Sequence, residues 1–441
     1  MRKIICIIFS TLCIAQHQVV AQQKLDVYLD HLFKNQKFMG SVAIAHNDSI
    51  IYSKAVGYSD AAKKKDNEKN TKFRVGSVTK TYTAVLILKA IEERKLKLDD
   101  KLVTFYPTVA NADKITIEEL LKHRSGVFNF TEIEGEGTWE EHFHTEQEFV
   151  DYLAKQKSNF EPGSDYEYSN SNYALLGFIL QKIYKQPFAA VLVEKICKPL
   201  NLLNTYYTFE VDTAKNEALS YNIQDTYLKN GNVNFSNHPA SGGIVSTPTD
   251  VNRFLFALFN KQLITTQSLE AMLPVDKGAY GFGIEKLKFD NPMGYAHGGR
   301  VENYFSNYWY FPKENVGVVV LANAVNIDVD VISTALLKSA YGTMPELPNF
   351  NHISNMADTA FNEIKGTYFS KDQKESITIS SDGKYLVFQN SRPGQDYVYF
   401  EYKGNQVFQY DSIALQFFPN KHEMMLKQGA EQIIYRKSVK K

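Results

Sequence analysis

The chain has 441 residues with 49 Lys and Arg against 49 Asp and Glu, 44% apolar side chains, 24 Gly and 13 Pro. A formal charge of zero excludes the basic face that a nucleic-acid binder needs to neutralise phosphates, and the apolar content excludes wholesale disorder. The length exceeds the roughly 250–300 residues at which one hydrophobic core stops growing, so two domains are expected.

Arg2 and Lys3 precede the apolar run Ile4 to Ala15, and Val19-Val20-Ala21 follows with the modest side chains a signal peptidase accepts. This order predicts a secretory signal over residues 1–21, with an apolar run too short to serve as a transmembrane anchor. The mature chain would start at Gln22 and be exported, to the periplasm or the medium of a bacterial cell. Cleavage removes two of the 49 basic residues and none of the 49 acidic ones, leaving a formal charge of −2. It also removes Cys6 and Cys13. Cys197 alone remains, which excludes an internal disulfide and a multi-cysteine zinc site, and its apolar neighbours make it a small core residue.

Leu25, Leu29, Leu32 and Phe33 recur at helical spacing, so the mature chain opens with an amphipathic helix. Ser41 to His46 and Ile50 to Val56 read as a β-hairpin. A helix is predicted from Ser77 to about Arg94. Thr116 with Glu119 and Thr145 with Glu148 form capping-box signatures, and Thr247-Pro248 with Asp250 is a further helix start. Val316 to Leu321 is a β-branched run suited to a buried strand, and a last helix is expected over about 328–341. After Pro345 and Pro348 the texture changes. Short alternating segments separated by turns such as Lys403-Gly404-Asn405 predict a small antiparallel β-barrel domain over 359–441, joined by a linker over 344–358 to a unit spanning 22–343.

Three local patterns carry chemistry. In Ser77-Val78-Thr79-Lys80 the Ser and Lys lie one helical turn apart, and a Lys so placed can take the proton of an otherwise unactivated hydroxyl. Two further Ser-x-x-Lys runs, from Ser381 and from Ser438, show that the spacing alone is unspecific. Tyr168-Ser169-Asn170 offers a tyrosinate as general base, if cations flank it, and an amide able to hold a carbonyl or a Lys; it equally suits a turn before a helix. His297-Gly298-Gly299 precedes a strand, where glycines admit a ligand close to the backbone or simply form a turn. His142 and His144 lack the further ligands that a metal motif requires, so no metal and no cofactor is expected.

Taken in order, Ser-x-x-Lys, Tyr-x-Asn and His-Gly-Gly resemble the serine β-lactamase and penicillin-binding-protein superfamily, in its class C β-lactamase-like branch of D-Ala-D-Ala carboxypeptidase, D-aminopeptidase and esterase relatives. The stretches Ile115 to Gly126, Glu161 to Gly177 and Ser241 to Asp250 extend the likeness over about residues 25–340. The resemblance implies an α+β fold in which helices flank an antiparallel sheet, with a helical lobe inserted between the chain ends. It implies Ser77 as the acylated nucleophile, Lys80 as its proton acceptor and Tyr168 as a proton shuttle. Asn170, His297, Gly298, Gly299 and Arg300 would contact substrate, with the backbone N–H groups of Ser77 and Arg300 as the oxyanion hole.

Three departures bear on the substrate. His297 stands where many relatives keep a Lys, Gly298 removes a hydroxyl often present there, and Asn303 replaces a small residue. The fixed charge that holds a β-lactam or peptide carboxylate is weakened, although Arg300 offers a substitute. The expectation is therefore an exported serine hydrolase acting on an ester or a D-amino-acid amide. A β-lactamase or D-Ala-D-Ala carboxypeptidase working on cell-wall fragments and a catalytically silent ligand-binding homologue are the alternatives.

Overall fold

The computed structural model describes residues 22–132, 142–223, 226–229, 231, 234–238, 240–275, 279–287, 293–343, 345–348, 350, 356, 358–371, 376–381, 385–390, 398–410, 413–428 and 431–438. The expected signal segment and part of the expected linker lie outside them.

Helix α1 spans residues 22–34 and buries Leu25, Tyr28, Leu29 and Leu32, the stripe its spacing requires. Strands β1 (Phe38–His46) and β2 (Ser49–Val56) form the hairpin. Asn47 turns it at φ 57°, a left-handed conformation that Asn tolerates better than most residues. The chain then leaves the sheet for the helical lobe. It returns as β3 (Glu285–Lys286), β4 (Tyr295–Val301), β5 (Tyr304–Phe311) and β6 (Val316–Val325). All pairings are antiparallel and the strand order is β3-β4-β5-β6-β1-β2. Ser41 pairs with Leu321, so strands from the two ends of this unit lie side by side with the lobe inserted between them.

Strand β6 is buried along nearly its whole length because both faces are covered. Val318, Val320 and Ala322 pack with α1 and with α5 (Val329–Ala340). Val319 and Leu321 face the lobe. Each fully buried Val or Leu contributes about 1.5–3 kcal/mol, which makes the unbroken apolar run the central stabilising element of the sheet.

Within the lobe, α2 (Thr79–Glu92), α3 (Asn170–Tyr184) and α4 (Pro248–Phe259) share one core with the inner sheet face. Both capping boxes form as expected, before Ile117–Leu121 and Glu146–Leu153, and Thr247 caps α4 with Pro248 at its first turn. The helix after Ser77 differs in detail from expectation. Residues Gly76–Val78 make a tighter 3-10 turn, and the α-helix proper starts at Thr79.

Eight antiparallel strands, from Gly366–Phe369 to Glu431–Lys437, close into a barrel, with Tyr368 opposite Lys437 at the seam. Alternation sends Ile377 with Ile379, and Leu415 with Phe417, inward to a separate core. The barrel touches the first unit through Lys37, just before β1. Its buried ammonium pairs with Glu401 and lies 4.3 Å from the ring centre of Tyr385. His31 on α1 also meets the linker, with Nε2 2.8 Å from the Pro348 carbonyl and its ring stacked on Phe350.

Candidate active site

The site forms where the lobe meets β4. Phe73–Arg74 pairs with Ile244–Ser246, and the buried Arg74 guanidinium donates to the carbonyls of Thr208, Glu210 and Gly243. This anchors the strand that leads into Ser77. Gly76 then turns the chain at φ 48°, and a Cβ there would stand 2.7 Å from the Arg300 nitrogen. A Cβ on Gly299 would stand 2.8 Å from the Ser77 nitrogen and 2.3 Å from the Val75 carbonyl. Only glycine at both places lets the Ser77 turn and β4 come into contact, which brings the backbone nitrogens of Ser77 and Arg300 onto facing segments.

At the second residue of α2, Lys80 is fully buried. Its Nζ lies 3.0 Å from Ser77 Oγ and donates to Asn170 Oδ1 at 2.8 Å and to the Ser241 carbonyl at 2.8 Å. Loss of solvent drives its pKa well below the ordinary 10.5, because no carboxylate compensates the buried charge. Tyr168 lies with its ring centre 4.8 Å from that nitrogen. Burial raises the Tyr168 pKa, and a hydrogen bond to Ser77 only partly opposes it. Burial thus favours the phenol form of Tyr168 over the tyrosinate considered from its sequence motif.

Asn170 begins α3. Its backbone N–H donates to Asn129 Oδ1 at 3.0 Å and its Nδ2 to Thr131 Oγ1 at 3.2 Å, which aims Oδ1 at Lys80. Alternation along β4 puts Tyr295, His297 and Gly299 on the lobe side. His297 is 3% exposed. Its Nδ1 donates to the Gly298 carbonyl at 2.5 Å, so Nε2 accepts from the Tyr280 hydroxyl at 2.9 Å. Burial, aided by Lys80, lowers its pKa to about 3. Position 297 thus presents a neutral imidazole with both nitrogens engaged. Gly298 is exposed at the outer face of β4. Arg300 is exposed and turns back along its own strand, with Nε donating to the Glu302 carbonyl at 3.2 Å and the guanidinium 5.1 Å from the Phe305 ring centre.

The structure brings Ser77, Lys80, Tyr168 and Asn170 together, with β4 alongside. It adds partners that the motifs do not reveal. The Ser241 carbonyl and His123 lie in stretches that carried the family likeness without individual roles, whereas Tyr280 has no local sequence signal. Among the described residues no group of three or more His, Cys, Asp and Glu is arranged to hold a metal ion. No described helix is long and apolar enough to cross a membrane.

Comparison with known proteins places the fold and the family. The Staphylococcus aureus (strain MW2) protein named Protein flp is 27% identical over 323 residues, 69% of this chain. The chain spans 63% of that relative's length. The fold matches an octameric penicillin-binding protein homologue from Pyrococcus abyssi with a TM-score of 0.64 at 20% identity, over 93% of this chain and 99% of that one. It also matches a D-amino acid amidase from Ochrobactrum anthropi SV3 with a TM-score of 0.61 at 24% identity, over 69% and 91%. Residues 28–341 match the family described as Beta-lactamase, so the chain belongs to the Beta-lactamase family.

Proposed function

We propose that the protein is an exported hydrolase that works through an acyl-enzyme on Ser77, with an ester or a D-amino-acid amide as substrate. The observation that carries this reading is the buried Lys80 amine, bound to Ser77 Oγ, Asn170 Oδ1 and the Ser241 carbonyl. A neutral lysine has two N–H donors and one lone pair. The two donors suit Asn170 and Ser241, and the lone pair is left for the Ser77 hydroxyl proton.

In the first half-reaction Lys80 takes that proton while Ser77 Oγ bonds to the substrate carbonyl carbon. The carbonyl π electrons move to oxygen, held by the backbone N–H groups of Ser77 and Arg300. The tetrahedral species collapses, the C–O or C–N bond breaks, and the Tyr168 hydroxyl gives the leaving group a proton that the Lys80 ammonium replaces. Water then attacks the acyl-enzyme with the same groups in reverse, releasing a carboxylic acid and restoring Ser77.

The substrate class follows from charge. A neutral His297 and an Arg300 drawn back to Glu302 and Phe305 leave β4 without a fixed cation aimed at a substrate carboxylate. This favours a neutral ester or amide over a β-lactam or a peptide ending in D-alanine. The presence of a D-amino acid amidase among proteins of this fold is consistent with that choice, as an analogy of fold alone. The same reading divides the chain into a cleaved leader over 1–21, the hydrolase unit over 22–343, a linker over 344–358 and an accessory barrel over 359–441.

The test is intact mass and peptide mapping after a fluorophosphonate. One adduct on Ser77, absent from Ser77→Ala, is expected. Turnover of simple esters and D-amino-acid amides should then exceed that of a chromogenic cephalosporin and of D-alanyl-D-alanine peptides. Preferential cephalosporin hydrolysis would reverse the substrate assignment.

A further inference from the structure

His123 lies outside the three catalytic motifs, yet it is built unlike an ordinary core residue. Its φ is 55°, a left-handed conformation that costs a residue with a side chain on the order of 1–2 kcal/mol. It is fully buried, and its Nε2 has no hydrogen-bond partner among the described residues. Strain and an unpaired buried donor would ordinarily be removed by substitution unless the position served something else.

What it serves is visible in its contacts. The His123 carbonyl accepts from the Glu167 N–H at 3.0 Å, and its Nδ1 accepts from the Ser169 N–H at 3.1 Å. One residue therefore fixes the chain on both sides of Tyr168. The Asn172 side chain approaches the same Nδ1 at 3.2 Å, tying in the first turn of α3. The imidazole also lies against the Tyr168 ring, with centroids 4.2 Å apart and planes tilted by 34°. The left-handed backbone lets carbonyl and side chain of His123 reach the same short segment.

We infer that His123 is a positioning residue that sets the Tyr168 hydroxyl against Ser77 and Lys80. This rests on the proposed roles of Ser77, Lys80 and Tyr168. A misplacement of about 1 Å in such a shuttle costs about 10²-fold in rate. Asparagine is the conservative replacement, because its Oδ1 lies near the place of Nδ1 and it tolerates positive φ.

The experiment measures kcat and KM for a p-nitrophenyl ester in the wild type, His123→Ala, His123→Asn, Tyr168→Phe and the His123→Ala/Tyr168→Phe double variant, with thermal midpoints for each. His123→Ala is expected to lower kcat about 10²-fold while KM changes little. His123→Asn should recover most of the loss. The double variant should be no slower than Tyr168→Phe, since a group that acts only through Tyr168 has nothing left to position. If His123→Ala does not fold, His123→Gly, which is at ease at this φ, takes its place.

Wild-type kcat in the Ala or Gly variant, or losses that multiply in the double variant, would overturn the inference and leave the serine hydrolase reading standing. A wild-type protein that is folded but neither turns over ester nor labels at Ser77 would overturn that reading and this inference with it.

Discussion

Ser77 and Lys80 illustrate how burial tunes a residue for chemistry. In water a lysine holds its proton up to about pH 10.5, useless as a base at neutral pH. Here the amine is surrounded by the Ser77 hydroxyl, an amide oxygen and a backbone carbonyl, with no carboxylate among its hydrogen-bond partners, and desolvation dominates. The lowered pKa fixes the sign of the pH dependence. Activity on an ester should rise from the acid side as Lys80 loses its proton and should already be high well below pH 10.5. A kcat/KM profile that climbed only near the ordinary lysine value would refute a neutral Lys80. Replacement of the base, Lys80→Ala, should lower kcat by about 10²–10⁴-fold, the usual worth of a positioned general base. Thermal melts should show no large loss of stability, because this change removes a buried amine that is costly to desolvate.

At the level of elements, the site depends on the contact between the Ser77 turn and β4. The helix start contributes a serine in a 3-10 turn, and Gly76 in that turn with Gly299 on β4 lets the two backbones meet. Gly299→Ala would push a methyl to within 2.4 Å of Ser306 Oγ and 2.8 Å of the Ser77 nitrogen, closer than any real contact. Strand and turn must then separate. Gly299→Ala should reduce kcat by about 10²-fold or more through displacement of the oxyanion donors, and fluorophosphonate labelling should slow in step. Gly298→Ala is the control, since the nearest atom to its added Cβ is 3.9 Å away. Equal losses in the two variants would show that backbone freedom, not close approach, is what the site requires.

Across the whole molecule, the barrel is held to the sheet-containing unit by an ion pair taken out of water. Lys37 is fully buried and Glu401 is 7% exposed, and Lys403 also reaches Glu401 at 2.9 Å. Breaking such a pair by removing one partner costs about 3–5 kcal/mol, because the other charge stays buried. Glu401→Gln should therefore destabilise the protein by an amount of that order in chemical denaturation. Lys37→Met combined with Glu401→Gln should recover much of it. If the single and double variants lose the same stability, the junction is held by apolar packing around Phe350 and Tyr385 instead. By the same reasoning, a chain ended near Pro348 leaves the Lys37 ammonium without its carboxylate, so it is expected to be less stable than the intact protein.

Local order was written in the sequence wherever one short-range interaction decides it. The leucine spacing of α1, both Thr–Glu capping boxes, the Thr247-Pro248 start of α4 and the β-branched run of β6 each specify an element through contacts a few residues apart. Alternation in the last segment likewise announced an antiparallel barrel. The order Ser77, Lys80, Tyr168, Asn170 and His297 was legible as a motif, although their proximity was not. What only the tertiary structure decided are the charge states and the second layer of partners. Burial lowers the Lys80 pKa and raises that of Tyr168, and how much water each loses depends on residues some 90 to 160 positions distant. Burial, aided by Lys80, lowers the His297 pKa while Tyr280, on a different segment, takes its second nitrogen, and His123 grips both sides of Tyr168 across a gap of more than 40 residues. Desolvation and long-range hydrogen bonds leave no mark on a local pattern, so the chemistry of the site becomes definite only when the lobe is packed against the sheet.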